Sequence, residues 1–222
     1  MNPSLIRLLQ LASPTLPVGA YTYSQGLEWA VESGTVTDEA SAGRWIGDCL
    51  RHSLGSFEAV YLAHMLAAWD EHDLPQLAEL DAEFLASRET AELRAETLQM
   101  GHSLVKLLEQ LPEFSGAEFT AFPQTTFPLA WSCVAARWRV PPEDAIAGYL
   151  WSWLENQVMA ALKAVPLGQT AGQRLLLKLG DLLPELARQA AIAPLAAACN
   201  FLPAFAIASC LHETQYTRIF RS

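Results

Sequence analysis

Positive charge is scarce in this chain. Lys and Arg number 14 against 24 Asp and Glu, so the formal net charge is −10 and the isoelectric point lies near 4.9. Phosphate backbones and anionic membrane surfaces are recognised by clustered cations, which argues against either as a partner. Val and Ile, the aliphatic residues branched at Cβ, are also few: 15 stand against 70 Ala and Leu. That bias favours helix and disfavours strand, and the sequence reads as all-α.

Paired cysteines are missing. Cys49, Cys133, Cys199 and Cys210 are scattered without a C-x-x-C pair, which suits a reducing compartment. Ahead of Pro14 the apolar stretch "LLQLA" is too short for a secretory core, so a cytoplasmic placement is expected. Neither G-x-x-x-x-G-K-[ST] nor G-x-G-x-x-G occurs, and H-E-x-x-H and G-x-S-x-G are absent too. The expectation is a protein that is not an enzyme and binds no cofactor directly. Residues 189–211 carry no formal charge, and that length could in principle cross a bilayer. Its alanine content and Pro194, Asn200 and Pro203 make a buried or interface-facing helical segment the better account.

What is present suffices for a core. Of 222 residues, 51% are hydrophobic and 17% charged, and one domain over 1–222 is the reading. Apolar spacing predicts a single-domain bundle of roughly nine to ten helices. The first ends at Ser13-Pro14, and a second begins near residues 24–27. A third is N-capped by Thr37, with a separate helix over 57–69 and another over 75–86. A six-turn helix spans 88–111, mildly interrupted by Gly101. The connector 112–128, with three prolines and four phenylalanines, is a possible seam between two halves. Helices over 129–138, 145–164 and 169–183 follow.

Metal chemistry has thin support. Cys49 and His52 stand three apart on one helix face, yet a small buried Cys beside a helix-end His is the commoner arrangement. Asp70, Glu71, His72 and Asp73 read as a solvated acidic turn.

Three stretches ask for more than core packing. In the first, Tyr21, Tyr23 and Gln25 lie between a double proline break and Glu28. Tyrosine brings rigid area with a polar tip, suiting an interface; a turn packed on its own core is the alternative. In the second, Gln169, Gly172 and Gln173 share a helix face where the glycine permits close approach, inside the fold or by a second chain. Lys163 lies just upstream. The third is the tail 212–222, "HETQYTRIFRS", which sets Arg218 and Arg221 among Tyr216, Ile219 and Phe220. It reads as a segment that orders on docking to a partner.

These motifs occur together in one family. "LASPTLPVGAYTYSQGLEWAVESG", "RETAELR" with the later "GHSL", "VPLGQTAGQ" and the terminal "HETQYTRIFRS" resemble, in order, those of the UreF family of urease accessory proteins. The resemblance implies an all-helical protein that dimerises and sits between a UreD/UreH-type accessory protein and the GTPase UreG. In such assemblies GTP hydrolysis on UreG drives nickel into apo-urease, so GTP and nickel are handled by partners. The tail, including His212, Gln215, Tyr216, Arg218, Phe220 and Arg221, is expected to meet the UreD-type partner. The face carrying Glu28 and Lys163 is expected to meet UreG. Gln25 stands where many relatives have His, which removes any argument for a nickel ligand there, and Ile219 stands where Leu is common. Two other readings remain: a nickel carrier using its own Cys49, His52 or His212, and a helical hydrolase with an unrecognised site.

Overall fold

The computed structural model describes residues 3–114 and 116–222. Ser115, inside the expected seam, lies outside the described residues, as do Met1 and Asn2. Among the described residues there is no β-strand, and the all-α reading holds. The helices are α1 (Pro3–Leu11), α2 (Leu27–Glu32), α3 (Glu39–Cys49), α4 (Ala59–Glu71), α5 (Leu74–Ala86) and α6 (Ala91–Leu108). They continue with α7 (Phe127–Arg137), α8 (Pro142–Ala164), α9 (Gln169–Gly180), α10 (Leu183–Ile192) and α11 (Pro203–His212).

The sequence reading separates α3 from α4, but a π-helical stretch, Leu50–Glu58, joins them into one rod. Ser53, Gly55 and Ser56 look like a break, yet Ser53 and Gly55 are buried and the helix passes through them. Glu58, the last residue of the π stretch, is buried and meets Arg88. Thr37 is not the cap of α3. Asp38 is: its carboxylate accepts the Ser41 N–H at 2.7 Å, and Ser41 Oγ accepts the Asp38 N–H at 3.0 Å, a reciprocal capping box. The helix expected over 169–183 divides at Asp181-Leu182 into α9 and α10.

The long helix α8 forms the axis, with α1, α2, α4, α9 and α10 against it. Its Leu150, Leu154 and Ala161 are fully buried, and Trp131 of α7 packs edge-on to Tyr149 of α8, with ring centroids 5.4 Å apart. Phe114, Phe119, Phe122 and Phe127, all within residues 112–128, are buried in the same core. Gly101 does not weaken α6, because the loop into α7 lies against it and a Cβ there would sit 2.1 Å from the Thr125 carbonyl oxygen. Among the described residues no helix is long and apolar enough to cross a membrane.

Candidate functional site: a clamped tail beside a cavity

Residues 12–26 contain the proline breaks and turn back toward α8 through a short 3-10 turn, Ala20–Thr22. Gln25 and Gly26 both adopt positive φ, 51° and 78°. Gly26 also lets α11 approach, since a Cβ would stand 3.0 Å from the Ser209 backbone nitrogen. The double left-handed turn delivers Glu28 to the first turn of α2, where a carboxylate is favoured by the exposed N–H groups of the helix end.

Glu28 then holds the tail. Its Oε1 accepts the Ile219 N–H at 2.6 Å, and its Oε2 accepts the Phe220 N–H at 2.9 Å. His212, fully buried, sets Nε2 3.3 Å from Glu28 Oε2 and Nδ1 2.7 Å from Glu92 Oε2. Arg218 donates to the other oxygen of Glu92 at 2.7 Å. Beyond these, the Arg221 N–H donates to the Thr22 carbonyl at 2.8 Å. The Ser222 carbonyl accepts from the Ser24 N–H at 2.7 Å, the Gln25 N–H at 3.0 Å and the Ser24 hydroxyl at 2.7 Å. Phe220 is 5% exposed, a burial that contributes about 2 kcal/mol.

This corrects the expectation that the tail orders only on a partner: its backbone is already fixed on its own chain. It also corrects the placing of Glu28 on an outward face, since Glu28 is buried beneath the tail. Lys163 is exposed and lies over both Phe220 and Tyr21, 5.5 and 5.9 Å from the ring centroids. The two tyrosines divide. Tyr23 is buried, its carbonyl accepting from Asn156 Nδ2 at 3.0 Å, whereas Tyr21 is 67% exposed. Burial and the nearby Glu96 charge raise the Tyr23 hydroxyl above its ordinary range, partly offset by Arg221.

Gly172 makes its close approach within the fold: a Cβ would meet Leu162 of α8 at 2.8 Å. Gln169 and Gln173 stay exposed, while Gln215 is half-buried and donates to the Thr217 carbonyl at 2.9 Å. Tyr216 is wholly exposed and Ile219 is 67% exposed, so the clamped tail presents both outward. Cys49 is buried against Leu93 and Phe205, where burial pushes its thiol far up, and His52 is exposed. Among the described residues no group of three or more His, Cys, Asp and Glu is placed to hold a metal ion.

A cavity of about 210 Å³ opens between residues 12–21 and α8. Its lining includes Glu96, Glu58, Arg88 and Tyr149. Arg88 pairs with Glu58 at 2.7 Å, both side chains under 10% exposed, and Tyr149 donates to the other Glu58 oxygen at 2.7 Å. Glu96 accepts from Gln25 Nε2 at 2.7 Å and from the Ser222 hydroxyl at 2.8 Å, while Gln25 Oε1 accepts from the Trp153 indole at 2.6 Å. Burial pushes the Glu96 carboxyl up to about 7 against the pull of those hydrogen bonds. The roles of Arg88 and Glu92 in "RETAELR", and of Glu96 just beyond it, do not stand out from that motif alone. Glu92 and Glu96 stand four residues apart on α6 beside buried Leu93 and Thr97, with Arg88 two residues ahead of the Thr90 cap, and that charged spacing within an apolar pattern is the signal to follow.

These features define an all-α protein whose candidate site is a surface built by its own docked tail. The UreF family model matches residues 36–180. The urease accessory protein UreF of Azoarcus sp. strain BH72 is 61% identical, over 98% of this chain and 95% of its own length. Those of Dechloromonas aromatica and Pseudomonas fluorescens SBW25 are 59% and 50% identical, covering 98% and 100% of this chain and 97% and 100% of their own. The chain belongs to the UreF family of urease accessory proteins, and its role lies in urease maturation.

Proposed function

We propose that this chain is a non-enzymatic cytoplasmic scaffold, working as a homodimer, that links a UreD/UreH-type protein to the GTPase UreG during nickel delivery to apo-urease. On this reading it binds no cofactor itself; GTP and nickel stay with its partners. The observation that carries it is the tail: its backbone is fixed by Glu28 while Tyr216 and Ile219 face outward beside exposed Ile207 and Leu211 of α11. A rigid backbone with outward aromatic and aliphatic side chains loses little entropy on docking, which suits this surface to the UreD-type partner. Tyr21 with Lys163 is the surface assigned to UreG, with Gln169 and Gln173 on the neighbouring α9.

Co-purification with both partners tests this. Tyr216→Ala with Ile219→Ala is expected to lose the UreD-type protein, and Tyr21→Ala with Lys163→Ala to lose UreG, in each case without a change in melting. Full retention of both partners by both variants overturns the assignment.

A further inference from the structure

Glu96 lies where the end of the tail meets the left-handed turn, and its two oxygens divide between them. Oε1 accepts from Gln25 Nε2 at 2.7 Å, and Oε2 accepts from the Ser222 hydroxyl at 2.8 Å. The Gln25 amide cannot turn over, because its Oε1 already accepts the Trp153 indole N–H at 2.6 Å and an indole nitrogen only donates. Ser222 is equally constrained, its carbonyl receiving donors from Ser24 and Gln25. So one buried carboxyl, 7% exposed, bears directly on the seat of the tail.

The charged and titratable groups facing it offer no free compensation. Glu58 of the π stretch is held by Arg88 and Tyr149. Its charge adds to the rise in the Glu96 carboxyl, from 4.5 to about 7, which burial dominates; Arg88 opposes that rise. Tyr149 and Tyr23 also feel the Glu96 charge, with Arg221 of the tail beside Tyr23.

We propose that Glu96 makes the tail a pH-responsive latch, seated while this carboxyl is protonated and released more readily once it ionises. A protonated carboxyl keeps both contacts, since it can donate to the Ser222 hydroxyl while still accepting from Gln25. An ionised one is stripped of water next to Glu58, and lifting Ser222 away readmits water. The seated state has the raised carboxyl, so its advantage is full below pH 4.5, falls as pH rises toward about 7, and is constant above that. Any consequence for partner docking rests on the function proposed above. The latch itself is tested on the free chain, so the two can fail separately.

The experiment is amide hydrogen exchange on the full chain from pH 5 to 8, corrected for intrinsic rates, at Ile219, Phe220 and Arg221. In the native chain the open fraction is expected to rise roughly tenfold per pH unit between pH 5 and 7 and then level off. In Glu96→Gln, which mimics the protonated group, it is expected to stay flat with the tail protected at pH 8. A flat native profile, or a variant profile that tracks the native one, overturns the proposal. Should the variant fail to fold, carbon-13 NMR titration of Glu96 in the native chain decides: a midpoint near 7 supports the latch and one near 4.5 overturns it.

Discussion

Glu28 and Phe220 stand 192 residues apart in the chain, yet the Glu28 carboxylate accepts the Phe220 backbone N–H at 2.9 Å. One oxygen away it accepts that of Ile219, so a single side chain near the start of the protein fixes two consecutive peptides near residue 220. Glu28→Ala strands both N–H groups and takes from His212 its Nε2 contact, leaving that of Nδ1 with Glu92. It is expected to lower stability by about 2–3 kcal/mol, read from urea denaturation, with most of the tail's protection lost.

Two glycines give opposite expectations. Gly26→Ala meets both a positive φ and the immovable backbone of Ser209 and Ala208, and should cost more than about 2 kcal/mol. Gly172→Ala meets only the tip of Leu162, which can rotate, and removes a helix-interior glycine. Its net effect is expected within about 1 kcal/mol of zero. Thermal melts of the two variants check the contrast.

The Arg88 and Glu58 side chains form a desolvated pair supported by Tyr149. Arg88→Met leaves Glu58 buried without its cation and should cost about 3–5 kcal/mol in chemical denaturation. The double variant Arg88→Met with Glu58→Gln should recover part of that loss, because no bare charge remains.

Asp81 supplies a pH expectation unrelated to the tail. Burial pushes its carboxyl up to about 6 despite hydrogen bonds from the Thr126 N–H and hydroxyl, both to the same Asp81 oxygen. A carboxyl raised on folding contributes stability below about pH 3.8 that is lost as pH rises through about 6. Asp81→Asn keeps the accepting oxygen and cannot ionise. Above pH 7 it is expected to be more stable than the native chain by up to ~2 kcal/mol, measured by denaturation at pH 5 and pH 8.

Local pattern made the helices readable, because apolar spacing and proline breaks act within a turn or two. The π stretch was not legible: Ser53, Gly55 and Ser56 have break-like identities, and only packing makes a continuous rod of them. At the site, chemistry was legible and direction was not. Tyr21, Glu28, Lys163 and the tail stand out by residue type, but which faces outward depends on contacts between residues nearly two hundred positions apart. Glu28 therefore reads as a surface acid and is an internal clamp. Gly172 reads as room for another backbone and is filled by Leu162. Glu92 and Glu96 look like a solvated helix face until the tail is laid over them.

The most direct test of the tail as part of this chain's own fold is amide exchange at Ile219 and Phe220 in the isolated protein at one fixed pH. Both amides are expected to be protected at least tenfold over an unstructured peptide, and Glu28→Ala is expected to bring both to the peptide rate while α8 stays protected. Unprotected amides at these two positions in the native chain would contradict the account.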